Sequence, residues 1–312
     1  MKTTRQCMLT GMLVLMVALA MVAPASADDS WRGQPLETKL HGTVNGGVDV
    51  LFADTWTATG SVTDWSKQEV DAQFTLEVNP QNNPVKFARL YVVPYVGNMT
   101  ADYTGNLTVT VDSTKVVDSQ PLDLSYNRTV GATYNTSVSS PLLDLSRVTS
   151  DYVAVIDVTN LVAAKTTTDL DVNVITHNLT GNFDGRIKEV KLVYGWNVTS
   201  GGADTKYWVN EGHDPITKNI GTYTDNKTWF NGTTDPEAFT AELWVDYLAS
   251  ASGTYTWNGN AITPTVTQGT YAGLGYLTWA EGQPPYVLED NALTYNRVGS
   301  WYKLITAVFT LE

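Results

Sequence analysis

Few residues in this chain are of a type and spacing that could do chemistry. Glu211-Gly212-His213-Asp214 sets one imidazole between two carboxylates, a donor set that could ligate zinc or iron if the fold closed around it. A turn whose polar groups satisfy one another is the simpler account of the same residues. His41 and His177 are isolated, so nothing in the sequence brings a second imidazole to His213. Two oxygen-rich stretches, Asn182-Phe183-Asp184-Gly185 and Asp225 to Asp235, suit calcium, although neither has the spacing of an EF-hand loop. The candidate metal ligands are therefore Asp184, Glu211, His213 and Asp214. No cofactor is required by any motif, and calcium is the ion whose chemistry fits best.

Catalytic signals are sparse. The single cysteine, Cys7, lies just before an N-terminal apolar run, so thiol catalysis is excluded once that N-terminal stretch is removed. There is no Gly-x-Ser-x-Gly elbow, no His-Glu-x-x-His and no phosphate-binding glycine loop. Paired carboxylates for glycoside hydrolysis stay open, because folding and not spacing sets such pairs. The acids look spread over loops and strand faces, which is a pattern of solvation. The expectation is a protein that is not an enzyme, with no catalytic or cofactor-binding residues to assign.

Asn-x-Ser/Thr sequons stand at Asn98, Asn106, Asn127, Asn135, Asn178, Asn197, Asn226 and Asn231. In an exported chain each is a candidate glycan site, although a chain this rich in Ser and Thr acquires some by chance. Ten tryptophans and sixteen tyrosines add surface for stacking on sugars, for subunit contacts or for core filling. Trp31, Trp229 and Trp279 sit beside Gly, Thr or charged residues and are expected to be exposed. Trp196, Trp244 and Trp257 follow strand patterns and are expected in the core.

The elements that position these groups begin with a leader. Lys2 and Arg5 precede an apolar run from Met8 to Val22, and Ala25-Ser26-Ala27 forms a small-residue cleavage site. Residues 1–27 thus read as a secretory signal peptide, with the mature chain starting at Asp28 and free of cysteine. The protein is expected to be secreted, extracellular and part of the cell envelope, without a membrane span in its mature form. The chain carries 19 Lys and Arg against 32 Asp and Glu, and loss of Lys2 and Arg5 makes it more acidic still. Such a surface repels nucleic acid and anionic lipid.

Beyond the leader the pattern is all-β. Phe74, Leu76 and Val78 alternate with polar residues, as do Leu107, Val109 and Val111. Val190-Lys191-Leu192-Val193-Tyr194 reads as a strand with one apolar face. In Leu90 to Val96, Pro94 cannot donate to a ladder, which predicts a sheet edge or a bulge. One short helix is expected around Thr159 to Lys165, capped by Asp157 or Thr159. Ala88-Arg89-Leu90-Tyr91-Val92 is echoed by Ala241-Glu242-Leu243-Trp244-Val245, and each copy closes on an aliphatic-aromatic strand, Ile187 to Tyr194 and Tyr302 to Phe309. The expectation is two tandem antiparallel β-sandwich (jelly-roll-like) domains, 28–199 and 200–312.

Ala88-Arg89-Leu90-Tyr91-Val92, with Gly42-Thr43-Val44-Asn45-Gly46-Gly47-Val48, Asn182 to Ile187, Tyr207 to Asp214 and Trp257-Asn258-Gly259-Asn260, resembles a family of secreted cell-surface proteins of methanogenic archaea, a domain of unknown function. The resemblance implies an extracellular β-rich protein without known catalysis, and suggests a subunit of a proteinaceous sheath or surface layer. Its partners would be further copies of itself, or other envelope proteins and glycans. Leu304 to Leu311, uncharged and rich in β-formers, could pair between chains or serve as a buried closing strand. A secreted carbohydrate-binding or adhesion module is the alternative.

Overall fold

The computed structural model describes residues 34–53, 60–62, 68–97, 102–123, 126–127, 131–132, 137–140, 142–148, 150–217, 225–232, 240–248, 253–269, 271–280, 289–299 and 301–312. The leader, Asp28, Trp31, Asn98 and Asn135 lie outside the described residues, as does the side chain of Asn127.

The described residues are almost wholly strand. The chain runs through β1 (Gln34–Phe52), β2 (Gly60–Val62), β3 (Glu69–Thr75), β4 (Val85–Tyr95), β5 (Tyr103–Val111) and β6 (Thr114–Pro121). Short strands β7 (Tyr126–Asn127), β8 (Gly131–Ala132) and β9 (Ser137–Ser139) precede β10 (Leu143–Val148) and β11 (Asp151–Asp157). The helix α1 (Thr159–Ala163) leads to β12 (Asp169–Gly181) and β13 (Arg186–Asn197). The remainder comprises β14 (Asp204–Thr217), β15 (Asp225–Asn231), β16 (Ala241–Leu248), β17 (Gly253–Trp257) and β18 (Asn260–Ile262). It ends with β19 (Thr265–Gln268), β20 (Ala272–Trp279), β21 (Asp290–Arg297) and β22 (Trp301–Leu311).

One long antiparallel sheet organises the molecule, in the order β19-β20-β16-β22-β14-β1-β13-β4-β11-β10-β9. Strand β1 sits in its middle and changes role along its length. Gln34 to Asn45 pair with β14, and Gly46 to Phe52 pair with β13. The order is the same on both sides. β13, β4, β11 and β10 follow β1 as β22, β16, β20 and β19 follow β14. Each side is covered by its own second sheet, β2-β3-β12-β5-β6 or β15-β21-β17-β18. The echo between Ala88–Val92 and Ala241–Val245 thus falls on equivalent strands, β4 and β16.

Three apolar clusters follow from this layering. Phe74, Leu107, Val172 and Leu192 belong to the first sandwich, and Leu243, Trp257, Tyr295 and Phe309 to the second. The third cluster joins the opposite faces of the two halves of the long sheet, with Val50, Tyr91 and Val193 meeting Val209, Trp244 and Ile305. The long sheet is therefore folded on itself. Several of its strands, β4, β13 and β16 among them, are buried on both faces, whereas β3 and β5 in a covering sheet alternate buried and open positions.

The fold turns at Gly46-Gly47. A Cβ on Gly46 would stand 2.4 Å from the carbonyl oxygen of Trp196, and one on Gly47 would stand 2.7 Å from its indole ring. Only glycine lets Trp196 lie against the backbone here. The Gly46 carbonyl accepts the Thr205 hydroxyl at 2.7 Å, so the partner switch leaves it satisfied.

Several sequence expectations take a definite form. Strand β4 is interior, and Pro94 is accommodated by a register shift between Ile187 and Glu189 of β13, the bulge alternative. The helix has Val158 as its N-cap and no side-chain cap, so neither Asp157 nor Thr159 caps it, although Asp157 Oδ1 accepts the Thr159 N–H at 2.9 Å. Trp196, Trp244 and Trp257 are buried and Trp229 is exposed, but Trp279 is buried, packed 5.4 Å from Trp257 in the second core. The stretch Leu304–Leu311 lies within β22, paired with β14 on one side and β16 on the other. It is a buried closing strand with no free edge to offer a second chain. Asp225–Asn231 forms strand β15, so that part of the Asp225–Asp235 stretch is not a loop.

Replacing Gly46 with Val should force the Trp196 carbonyl away and destabilise the protein by about 1–3 kcal/mol, read as a lower urea midpoint.

Candidate functional site

The polar chemistry of the described residues concentrates where the two halves of the long sheet face one another. Single charged residues interrupt apolar strands and point into the shared layer: Arg89 on β4, Asp151 on β11, Glu189 and Lys191 on β13, Glu211 and His213 on β14, Asp246 on β16 and Lys303 on β22. Charges in such a place persist only when paired.

They fall into three groups, each linking strands of opposite halves. In the first, the Arg89 guanidinium meets Glu211 with Nε 2.7 Å from Oε1 and Nη2 2.9 Å from Oε2, and the Tyr91 hydroxyl donates to Glu211 Oε1 at 2.5 Å. In the second, Lys188 lies 2.8 Å from Asp151 Oδ1 and Lys303 contacts Oδ2. His213 is fully buried beside this group. In the third, Lys191 contacts Asp246, donates to Thr306 Oγ1 at 2.9 Å and lies 3.4 Å from Glu189. Its Nζ stands 4.3 Å from the centre of the Tyr91 ring, which ties the first group to the third.

Burial and pairing pull the titrations apart. Burial raises the Glu211 carboxyl, although Arg89 and Tyr91 favour its charged form. Burial also acts to raise Asp151, but Lys188 and Lys303 overcome it and hold that carboxyl well below the usual range. Glu189 is raised well above its usual value, first by burial and then by the charge of Asp246. Burial lowers Lys303, against the attraction of Asp151. His213 is lowered to about 3 by burial and by Lys303, with Asp151 opposing, so it is neutral at neutral pH.

The candidate metal ligands are placed apart by strand geometry. Glu211 and His213 face the shared layer. Strand alternation faces Asp214 the other way, into the second sandwich, where it accepts from the Tyr295 hydroxyl at 2.6 Å and contacts Asn226. Asp184 is forked to Arg186 at 2.8 and 2.6 Å, under the rings of Tyr95 and Tyr271. His41 and His177 are exposed. Among the described residues no group of three or more His, Cys, Asp or Glu side chains is arranged to hold a metal ion.

The sequons divide similarly. Asn178 and Asn231 are exposed, Asn106 is half-buried, and Asn197 accepts the Asn45 N–H at 2.8 Å. Asn226 spends its amide on Asp214.

An open crevice of about 500 Å³ beside the Gly46-Gly47 turn is lined by Glu77, Glu242 and Glu312. Nearby, Asp49 is pushed up to about 6 by burial, opposed by the Val50 N–H and assisted by the charges of Glu77 and Glu242.

Sequence reasoning passed over the ionic layer. Lys191 looked like a solvent-facing charge in a half-apolar strand. The available signal was that Arg89, Lys191 and Asp246 each stand alone with apolar residues at both neighbouring positions, a pattern of strands buried on both faces.

These features define an all-β protein of paired sandwiches locked by a buried ionic layer. The chain belongs to the family described as protein of unknown function (DUF3344), matched over residues 30–312. No curated protein matches it. Among solved structures it is similar to the pilus backbone protein RrgB of Streptococcus pneumoniae, with 10% identity over 83% of each chain and a TM-score of 0.28. It is also similar to the glycosylasparaginase PNGase F of Flavobacterium meningosepticum, with 10% identity, 85% of this chain and 96% of that chain covered, and a TM-score of 0.27. A third likeness is to the ANX2 ectodomain of Arabidopsis thaliana, with 7% identity, 89% and 90% covered, and a TM-score of 0.26. Likenesses this distant carry no argument about function. No helix among the described residues is long and apolar enough to cross a membrane.

Protonating buried His213 opposes folding. Its folded value lies below its unfolded one, so stability is complete above pH 6.5 and falls as pH drops toward about 3. In His213→Gln that loss should shrink by about 2–4 kcal/mol, seen in paired urea titrations at pH 7 and pH 4.

Proposed function

We propose that this is an extracellular structural protein, a self-associating subunit of an archaeal sheath or surface layer, and not an enzyme. The observation that carries the reading is where the strongest acid-base clusters lie. Arg89–Glu211, Lys303–Asp151 and Lys191–Asp246 are sealed between the two halves, where substrate has no access and where their work is to hold the halves together. A stiff block of paired sandwiches suits a building unit.

Association would use what the outside offers. Strand β22 is enclosed, so pairing falls to the edges, such as β6, β15, β18 and β19. These edges are short or polar, which favours lateral packing under control over indiscriminate strand addition. Growth into a layer needs a contact that does not close on itself. The acidic exterior resists association until neutralised, and calcium bridging facing carboxylates is the proposed trigger. Glycans at the exposed Asn178 and Asn231 fit a cell-envelope location after export by the 1–27 leader, in two tandem sandwich domains.

One observation favours an adhesion or carbohydrate-binding role as the second reading. Trp229 is 48% exposed on edge strand β15, with Lys227 Nζ 3.7 Å from its ring centre. An exposed indole on a sheet edge is a platform for a sugar face.

Purified mature chain should form sheets, tubes or fibrils in electron micrographs after millimolar calcium is added, and disperse with chelator. A monomer at high concentration, with and without calcium, would sink the structural reading. Specific retention on a glycan array, lost in Trp229→Ala, would establish the second reading in its place.

A further inference from the structure

We infer that Lys191 and Asp246 condense to an intramolecular amide, a self-made covalent link between β13 of one half and β16 of the other, with Glu189 as the proton-transferring group. The inference rests on the geometry of this cluster and does not depend on the surface-layer reading.

Four observations carry it. Lys191 Nζ is in direct contact with Asp246 Oδ2, the arrangement from which an amine can reach a carboxyl carbon. Lys191, Asp246 and Glu189 are all buried, so the water released has little bulk solvent to oppose its loss. Glu189 stands on the same strand face two residues before Lys191, 3.4 Å from the same nitrogen. Thr306 Oγ1 at 2.9 Å and the Tyr91 ring at 4.3 Å fix the amine from its other sides. The titration of Glu189, raised by burial and by the charge of Asp246, agrees with the assignment, because it favours the protonated carboxyl.

The step balances without an oxidant or an activated co-reactant. A proton passes from the Lys191 ammonium to the Asp246 carboxylate, giving a neutral amine and a neutral acid. The amine lone pair attacks Asp246 Cγ, and the new C–N bond gives a tetrahedral carbon. Glu189 gives its proton to a departing hydroxyl and takes one from the nitrogen. The C–O bond breaks, one water leaves and Glu189 is restored. Holding the reactants in one orientation supplies an effective concentration on the order of 10⁵ M, which a bimolecular reaction in water lacks.

The Lys303–Asp151 pair provides an internal contrast. Asp151 is also held by Lys188 at 2.8 Å, and the imidazole of His213 lies beside it, so among the described residues no carboxylic acid takes the place there that Glu189 takes beside Lys191. That pair should stay ionic.

The test is mass spectrometry of the purified full chain after trypsin. The expected result is a branched peptide joining Lys191 to Asp246, lighter by one water, about 18 Da, than its two parts, with no cleavage after Lys191. Wild-type peptides cut after Lys191 and carrying an unmodified Asp246 would overturn the inference, and this measurement requires no variant to fold. Glu189→Gln, with folding checked by circular dichroism, should yield the unlinked peptides. A link that survives in folded Glu189→Gln, or one found at Lys303–Asp151, would overturn the role given to Glu189.

Discussion

The structure depends on one constraint: β1 must belong to both halves of the long sheet. Its N-terminal part completes the ladder with β14 and its C-terminal part completes the ladder with β13, and Trp196 can settle over the crossing only because residues 46 and 47 have no side chains. Once a single strand is shared, the two halves cannot drift apart as beads on a linker. Their back faces are brought together, and whatever those faces carry has to be made compatible. The third apolar cluster and the ionic layer both follow from that enforced contact.

The ionic layer gives the contact its specificity. Apolar β-faces slide over one another at little cost, whereas a buried carboxylate accepts only the register that presents its cation. Arg89 finds Glu211, Lys191 finds Asp246 and Lys303 finds Asp151, each across the layer. Removing one member strands its partner without water, at a cost of about 3–5 kcal/mol for a well-buried pair. The same isolation separates the titrations of Glu189 and His213 from those of surface acids and imidazoles.

How much of this was legible in the sequence differs between fold and site. Alternation in β3 and β5 gave the covering sheets, because a half-buried strand writes its burial pattern in every second residue. The echo of Ala88–Val92 in Ala241–Val245 gave the repeated plan. Trp279 was misplaced because polar Thr278 beside it does not report the buried face that the indole occupies. The site was hidden for a related reason. Glu211, His213 and Asp214 are adjacent in sequence, but strand alternation sends them to two different layers. Arg89 and Tyr295, which bond Glu211 and Asp214, and Asp151, whose charge acts on His213, are all distant in sequence. The apolar neighbours Val190 and Leu192 mark Lys191 as a charge in a strand buried on both faces, but nothing local to it names Asp246 as the partner.

The placement of Gln34–Asn45 has a consequence for how the chain becomes a protein at all. Their ladder partner, Asp204–Thr217, lies beyond the whole first sandwich in sequence. Half of a strand must therefore wait, unpaired, until that partner is made, and contacts this remote in sequence close slowly. The polar alternation of that segment, with Glu37, Lys39, His41 and Thr43 facing outward, keeps the waiting strand soluble and discourages premature partners.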